Sequence, residues 1–336
     1  MLYTFISLTL LLSSFFKKIN ISLLTFIFLT LFIGTRYEIG GDWFNYLSMY
    51  DEINNEGLFN TDFSYYLINR AAEYTGLGIL GVNLFCAAIG SYTILFFLSK
   101  FPNSNLSIAI AFTYLFLVVG MGYTRQYVAT GLLCIYLYHI LNNDTKKALL
   151  FLIIAISFHK TAIFFILFFI RKLNIRAAVT IFITLALFIF TFNEKINSLI
   201  NLYLLNDGEI FSSLGALPRI FFHFIAALII LTYLKKKIAN NNLNQVLIIY
   251  AYASISFFII TMIKPDFTIL DRLSVYFLPL QALTFSIFSY KFSKNNIELL
   301  INNVIIYIPF FTAMLIWLFW GSWSHAWLPY KSFITL

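Results

Sequence analysis

Long apolar runs broken by short polar stretches set the pattern of this chain. The runs are Leu2–Phe16, Ile19–Ile33, Leu77–Leu98, Leu106–Val119, Tyr127–Leu141, Ala148–Ile170, Ala177–Phe192, Ile220–Leu234, Leu243–Ile263, Leu273–Tyr290 and Ile297–Trp320. They do not alternate, and they exceed the roughly 9–11 residues of a membrane barrel strand. Several are nearer 15 than the roughly 20 residues a helix needs to cross the hydrocarbon, so their ends are expected to extend into flanking Tyr, Trp and Asn. The pattern predicts an all-α, polytopic integral membrane protein with about 11–12 transmembrane or re-entrant helices. It forms a single transmembrane domain over residues 1–336, with no internal repeat and no Gly-x-x-x-Gly dimer face.

Two longer polar stretches interrupt the runs. Thr35–Gly76 carries Trp43, Tyr46, Leu47 and Tyr50 at helical spacing, then Phe63, Tyr66, Leu67, Arg70 and Tyr74. This predicts two short amphipathic helices on the outer membrane surface, with Asp42 positioned as an N-cap. Asn193–Arg219 is read as the second outer loop, with a turn at Asp207-Gly208-Glu209 and Pro218 opening the next helix. The run Ala148–Ile170 has a polar centre, Ser157-Phe-His-Lys-Thr161. It is either one span or a hairpin of two short helices, and basic residues at both ends favour a hairpin whose apex lines a cavity.

Composition then excludes whole classes. The chain is 61% hydrophobic and 11% charged, against about a quarter charged in soluble domains. Its net charge of +8 does not indicate nucleic acid, because the lysines sit in short clusters between apolar runs. Lys17, Lys18, Lys100, Lys146, Lys147, Arg171, Lys172, Arg176, Lys235 to Lys237, Lys291 and Lys294 fall at every second boundary and mark the cytoplasmic side. Of the 14 acidic residues, only Asp144 and Glu298 share that side. Cys86 and Cys134 lie inside apolar runs and read as buried small hydrophobes. No cleavable signal is expected, since no positive n-region opens the chain.

Five of the seven arginines fall on the outer side, and four stand at outer ends of runs: Arg36, Arg125, Arg219 and Arg272. A guanidinium binds phosphate oxygens through a two-pronged fork, so four converging from different helices suit a pyrophosphate; singly, each could snorkel to headgroups. His159, beside Lys160 and Thr161, reads as an acid or base, a second phosphate ligand, or a hydrogen-bonded structural histidine. Asp42 is either an N-cap or a partner for a sugar hydroxyl. Asp271 could simply balance Arg272. His139 and His223 lie in apolar runs and read as packing residues. No metal-ligand cluster, Walker loop, Gly-x-Gly-x-x-Gly or Gly-x-Ser-x-Gly occurs, so neither a metal nor another cofactor is expected.

Arg36 with Gly40-Gly41-Asp42 and Tyr46, Arg125-Gln126-x-x-Ala129, Phe158-His159, Arg272 with Tyr276, and Trp327-x-Pro329-Tyr330-Lys331 together resemble the EpsG family, grouped with the O-antigen (Wzy-type) polysaccharide polymerases. The resemblance runs in order from about residue 34 to 331. Trp43 stands where the family often has Tyr, and Lys160-Thr161 where small hydroxyl residues are usual. The resemblance implies a metal-independent GT-C-like glycosyltransferase of the bacterial inner membrane, with its site facing the periplasm. Its donor and acceptor would be undecaprenyl-pyrophosphate-linked glycans, with membrane lipids and a chain-length regulator as further partners and no nucleic acid. The residues expected to act are Arg36, Arg125, Arg219 and Arg272 on pyrophosphate and His159 or Asp42 on the acceptor hydroxyl. Tyr46, Gln126, Lys160, Asp271, Tyr276 and Tyr330 are expected to bind sugar or support the site. A lipid-linked-oligosaccharide flippase, an O-antigen ligase and a membrane O-acyltransferase are the competing readings.

Overall fold

Helices form along the apolar runs wherever the structure, a computed structural model, describes them: residues 1–15, 22–57, 61–172, 215–263 and 268–334. The expected span Ala177–Phe192, the turn at Asp207–Glu209, and Lys17 and Lys18 lie outside the described residues. In chain order the helices are α1 (Leu2–Ser13), α2 (Ser22–Gly34), α3 (Trp43–Asn55), α4 (Phe63–Tyr74), α5 (Gly78–Ser99), α6 (Ser104–Gly122), α7 (Thr124–Leu141) and α8 (Thr145–Phe158). A 3₁₀ helix at Lys160–Lys172 follows, then α9 (Ala216–Lys237), α10 (Asn241–Ile263), α11 (Thr268–Val275), α12 (Leu278–Phe292) and α13 (Asn296–Trp320). Among the described residues the only β-type pairing is one bridge, between Arg36 and Ser332. Among the described residues five helices (α5, α6, α9, α10 and α13) are long and apolar enough to cross a membrane, while α1, the α2 stretch Leu23–Gly34 and Lys160–Phe169 are shorter apolar helices. The protein is all-α and polytopic.

The chain divides into two compact units, Met1–Ile163 with Leu278–Leu336, and Phe164–Phe277. In the first, α6 is the central helix, buried along nearly its whole length, whereas α13 leaves most of its surface exposed. Helices α1, α12 and α13 pack on α6, while α5 packs between α2 and α7, and α8 packs on α7. The approach of α5 to α7 is close because glycines face each other. A Cβ on Gly131 would stand 3.1 Å from the backbone of Gly90 and overlap the Thr93 hydroxyl. In the second unit α9, α10 and α11 pack on one another, and Phe224 stacks on Phe258 at 4.3 Å.

Two expected spans are interrupted. Leu273–Tyr290 splits into α11 and α12. Pro279 lies in the first turn of α12, where its missing N–H costs nothing, but its ring would clash with the Val275 carbonyl in a continuous helix. Ala148–Ile170 leaves the α-helix at His159, which is extended at φ −158 and ψ 113, and resumes as 3₁₀ helix. The two amphipathic helices behave differently. Helix α3 buries Trp43, Tyr46, Tyr50 and Ile53, close to the expected stripe. Helix α4 buries Tyr65, Asn69 and Ala72 and leaves Phe63, Leu67 and Tyr74 exposed. The small Ala72 fits against Gly81 of α5, where an added Cβ would come within 3.1 Å of the Ala72 Cβ. Close helix approach, rather than the wider apolar stripe, selects the inner face.

The α5–α7 contact makes a direct prediction. Gly131→Ala should destabilise the protein by about 1–3 kcal/mol, the usual cost of overpacking, read as a lower melting temperature in detergent. An unchanged melting curve would mean the two helices do not touch at these glycines.

Candidate functional site

The stretch after α2 is held by the far end of the chain. Tyr37 N–H donates to the Lys331 carbonyl at 3.0 Å, Phe333 N–H to the Thr35 carbonyl at 2.8 Å, and Gly40 N–H to the Ala326 carbonyl at 2.9 Å. The Thr35 and Ser332 hydroxyls lie 2.8 Å apart, and Lys331 pairs with Glu38 at 2.8 Å. That pairing pulls the Glu38 carboxyl down and the Lys331 ammonium up. Gly40 is at φ +106, and a Cβ there would overlap the Met121 carbonyl, so no side chain fits this turn. Trp327 is 2% exposed. Its indole N–H donates to the Leu117 carbonyl at 3.1 Å, inside a π-helical stretch of α6, Phe112–Val119, whose widened ladder lies next to the site. The Tyr3 hydroxyl donates to the Trp327 carbonyl at 2.6 Å. Tyr330 donates to the Phe32 carbonyl at 2.8 Å and stacks on the Phe32 ring. This clasp fixes the backbone that carries Arg36.

Arg36 is 1% exposed. Its Nη1 donates to the Ile33 carbonyl and its Nη2 to the Thr124 hydroxyl, each at 2.8 Å, and its guanidinium lies 5.9 Å from the Trp43 ring. Its Nε is buried and unbonded. Among the described residues no carboxylate comes within ion-pair distance of it. Burial pulls its pKa down to about 10, so it stays charged at neutral pH. A buried charge without a counter-ion is costly.

Thr124 and Arg125 open α7, so the helix that holds Arg36 also presents the next cation. Arg125 Nη1 donates to Asp62 Oδ2 at 2.8 Å and to the Thr61 hydroxyl at 3.2 Å. The two paired side chains are 27% and 8% exposed. The Arg125 guanidinium stands 5.9 Å from both the Tyr46 and Tyr65 rings, which lie 5.7 Å apart. Arg125 Nε and the Tyr65 hydroxyl are buried and unbonded. Arg36, deeply buried, and Arg125, half-buried and paired with Asp62, leave three donors unbonded, Arg36 Nε, Arg125 Nε and the Tyr65 hydroxyl, which an anion could satisfy.

The other expected residues of this unit distribute as follows. Asp42 stands at the N-cap position of α3 without a side-chain capping bond. Gln126 is buried in α7. His159 is half-buried at the break after α8, its Nδ1 2.7 Å from the Thr161 hydroxyl, and Lys160 is exposed. Ser64, two residues after Asp62, hydrogen-bonds Ser157 at 2.6 Å, which ties the start of α4 to the turn before that break. In the second unit, Arg219 forks onto Asp271, Nε to Oδ1 at 2.7 Å and Nη2 to Oδ2 at 2.6 Å. Asp271, expected beside Arg272, thus grips Arg219. Arg272 is exposed and Tyr276 buried, and His223 packs with its Nδ1 2.9 Å from the Tyr250 hydroxyl.

Asp62, Tyr65 and Thr124 were not singled out by sequence reasoning. The one available signal for Asp62 was its place just before a helical stripe, the same position that drew attention to Asp42. Fold and site together define a polytopic helical membrane protein whose first unit holds a buried arginine, Arg36, and a second guanidinium, Arg125, between two phenol rings. The sequence profile of the EpsG family matches residues 19–332, and the chain belongs to that family. Membership suggests a polysaccharide-polymerase-like function. No curated protein and no solved structure matches it.

The cost of burying Arg36 gives a test. Arg36→Met should leave the melting temperature unchanged or raise it, because it removes a desolvated charge that no carboxylate balances. A large drop would show that the guanidinium is there to hold the fold.

Proposed function

We propose that the protein polymerises undecaprenyl-pyrophosphate-linked oligosaccharide repeat units into O-antigen or exopolysaccharide, with its site on the periplasmic face of the inner membrane. The observation that carries this reading is Arg36: a fully buried cation with no carboxylate at ion-pair distance among the described residues, held by Thr124, the residue before Arg125. A diphosphate would supply the missing negative charge. The acceptor unit and a chain-length regulator are the remaining partners the reading calls for.

In the reaction, a hydroxyl of the acceptor sugar attacks the anomeric carbon of the growing chain, and the bond from that carbon to the lipid diphosphate breaks. Negative charge builds on the departing diphosphate and positive charge on the sugar ring. Arg36 and Arg125, fixed in advance by Ile33, Thr124 and Asp62, stabilise the leaving group without reorganising at the moment of transfer. Tyr46 and Tyr65 shield this charge from water, so each hydrogen bond counts for more. His159 or Asp42 takes or orients the acceptor proton. Because diphosphate leaves readily, the guanidinium groups matter more than the base.

Arg125→Lys keeps the charge but loses the fork, and should reduce polymer formation by about 10²-fold or more, as loss of a preorganised charge-stabilising donor does. Wild-type chain lengths from that variant would remove Arg125 from the site. His159→Ala should cost less than Arg125→Lys, and full turnover would leave the histidine structural. In cells, deletion of the gene should leave lipid capped with a single repeat while ligation continues.

A further inference from the structure

Asp62 is the least settled member of the cluster. It stands at the N-cap position of α4, where an aspartate ordinarily accepts a backbone N–H from the first turn, yet its side chain makes no capping bond. Its carboxylate is spent on Arg125 instead, at 2.8 Å. Two acceptable partners are therefore within reach of one side chain, and only one is in use.

We propose that Asp62 is a displaceable partner that holds Arg125 while the site is empty and gives it up to an incoming diphosphate. This rests on the reading of the cluster as a diphosphate site. When phosphate oxygens take the Arg125 fork, the Asp62 carboxylate turns to the N–H groups at the start of α4 and caps that helix. Both states keep Arg125 paired with an anion, so the exchange never leaves that guanidinium bare, the costly state. The swap also sets affinity. Arg36 has no carboxylate to lose, so it binds the diphosphate without competition, whereas Nη1 of Arg125 stays held by Asp62 until the exchange. The leaving group is then held through transfer but released afterwards, when the carboxylate returns. The start of α4 is tied to the turn before His159 through Ser64 and Ser157. Capping of α4 therefore reports occupancy of the anion site to the stretch that carries the candidate base. Asp62 acts through Arg125 and is a positioning residue.

The test uses the full chain in phosphatidylcholine nanodiscs, with inorganic pyrophosphate as the probe. Asp62→Asn removes the competing charge and should tighten pyrophosphate binding about tenfold, a shift of about 1.4 kcal/mol. Asp62→Glu keeps the charge and should not tighten it. In the polymerisation assay Asp62→Asn should lower KM and kcat together, because product release slows; a merely structural role would raise KM or leave it unchanged. Hydrogen exchange on the wild-type chain supplies a readout independent of variant folding: pyrophosphate should slow exchange at the first-turn amides of α4. Equal or weaker binding to Asp62→Asn, or unaltered α4 exchange while pyrophosphate binds the wild type, overturns the swap and leaves the diphosphate site standing. Failure of the wild type to bind pyrophosphate at all overturns both.

Discussion

The constraint on which the first unit depends is the burial of the Arg36 guanidinium. A carbonyl and a hydroxyl satisfy two of its nitrogens, Nε is left bare, and no described carboxylate balances its charge. Neutral acceptors offset part of the lost hydration but not the charge itself. Such an arrangement persists only when surrounding structure fixes it. Here the surrounding structure is drawn from distant parts of the chain, the tail around Trp327 and Ser332 on one side and the start of α7 on the other.

That clasp explains features which look unrelated along the chain. Gly40 must turn through positive φ against Met121 so that the backbone after Arg36 can meet Ala326. The Trp327 indole N–H finds its acceptor deep in α6, at the Leu117 carbonyl within the π-helical stretch of that helix. Tyr3 in the first helix closes on the Trp327 carbonyl. Residues separated by almost the whole chain thus set the position of one guanidinium, which is how a site can be precise although its residues come from loops and helix ends.

The second cation is managed differently. Arg125 has a carboxylate, two phenol rings and a threonine, so it is nearly neutral in its surroundings while Arg36 is not. In the other unit Arg219 is paired more completely still, by a two-pronged bridge to Asp271. Arginines that look alike in sequence therefore carry different amounts of uncompensated charge.

The sequence by itself determined the all-helical membrane class, the placement of most helices, the inner stripe of α3 and the candidacy of Arg36 and Arg125. All of these follow from hydrophobic periodicity or from the cost of charge at a membrane boundary, which act locally along the chain. Only the tertiary structure decided which face of α4 turns inward, where the run ending at Tyr290 breaks, that Asp62 answers Arg125 and that Asp271 answers Arg219. The α4 face rests on Ala72 fitting a glycine of α5, and the ion pairs on helix starts brought together from distant parts of the chain. Contacts of that kind depend on distances in space that a one-dimensional pattern does not contain.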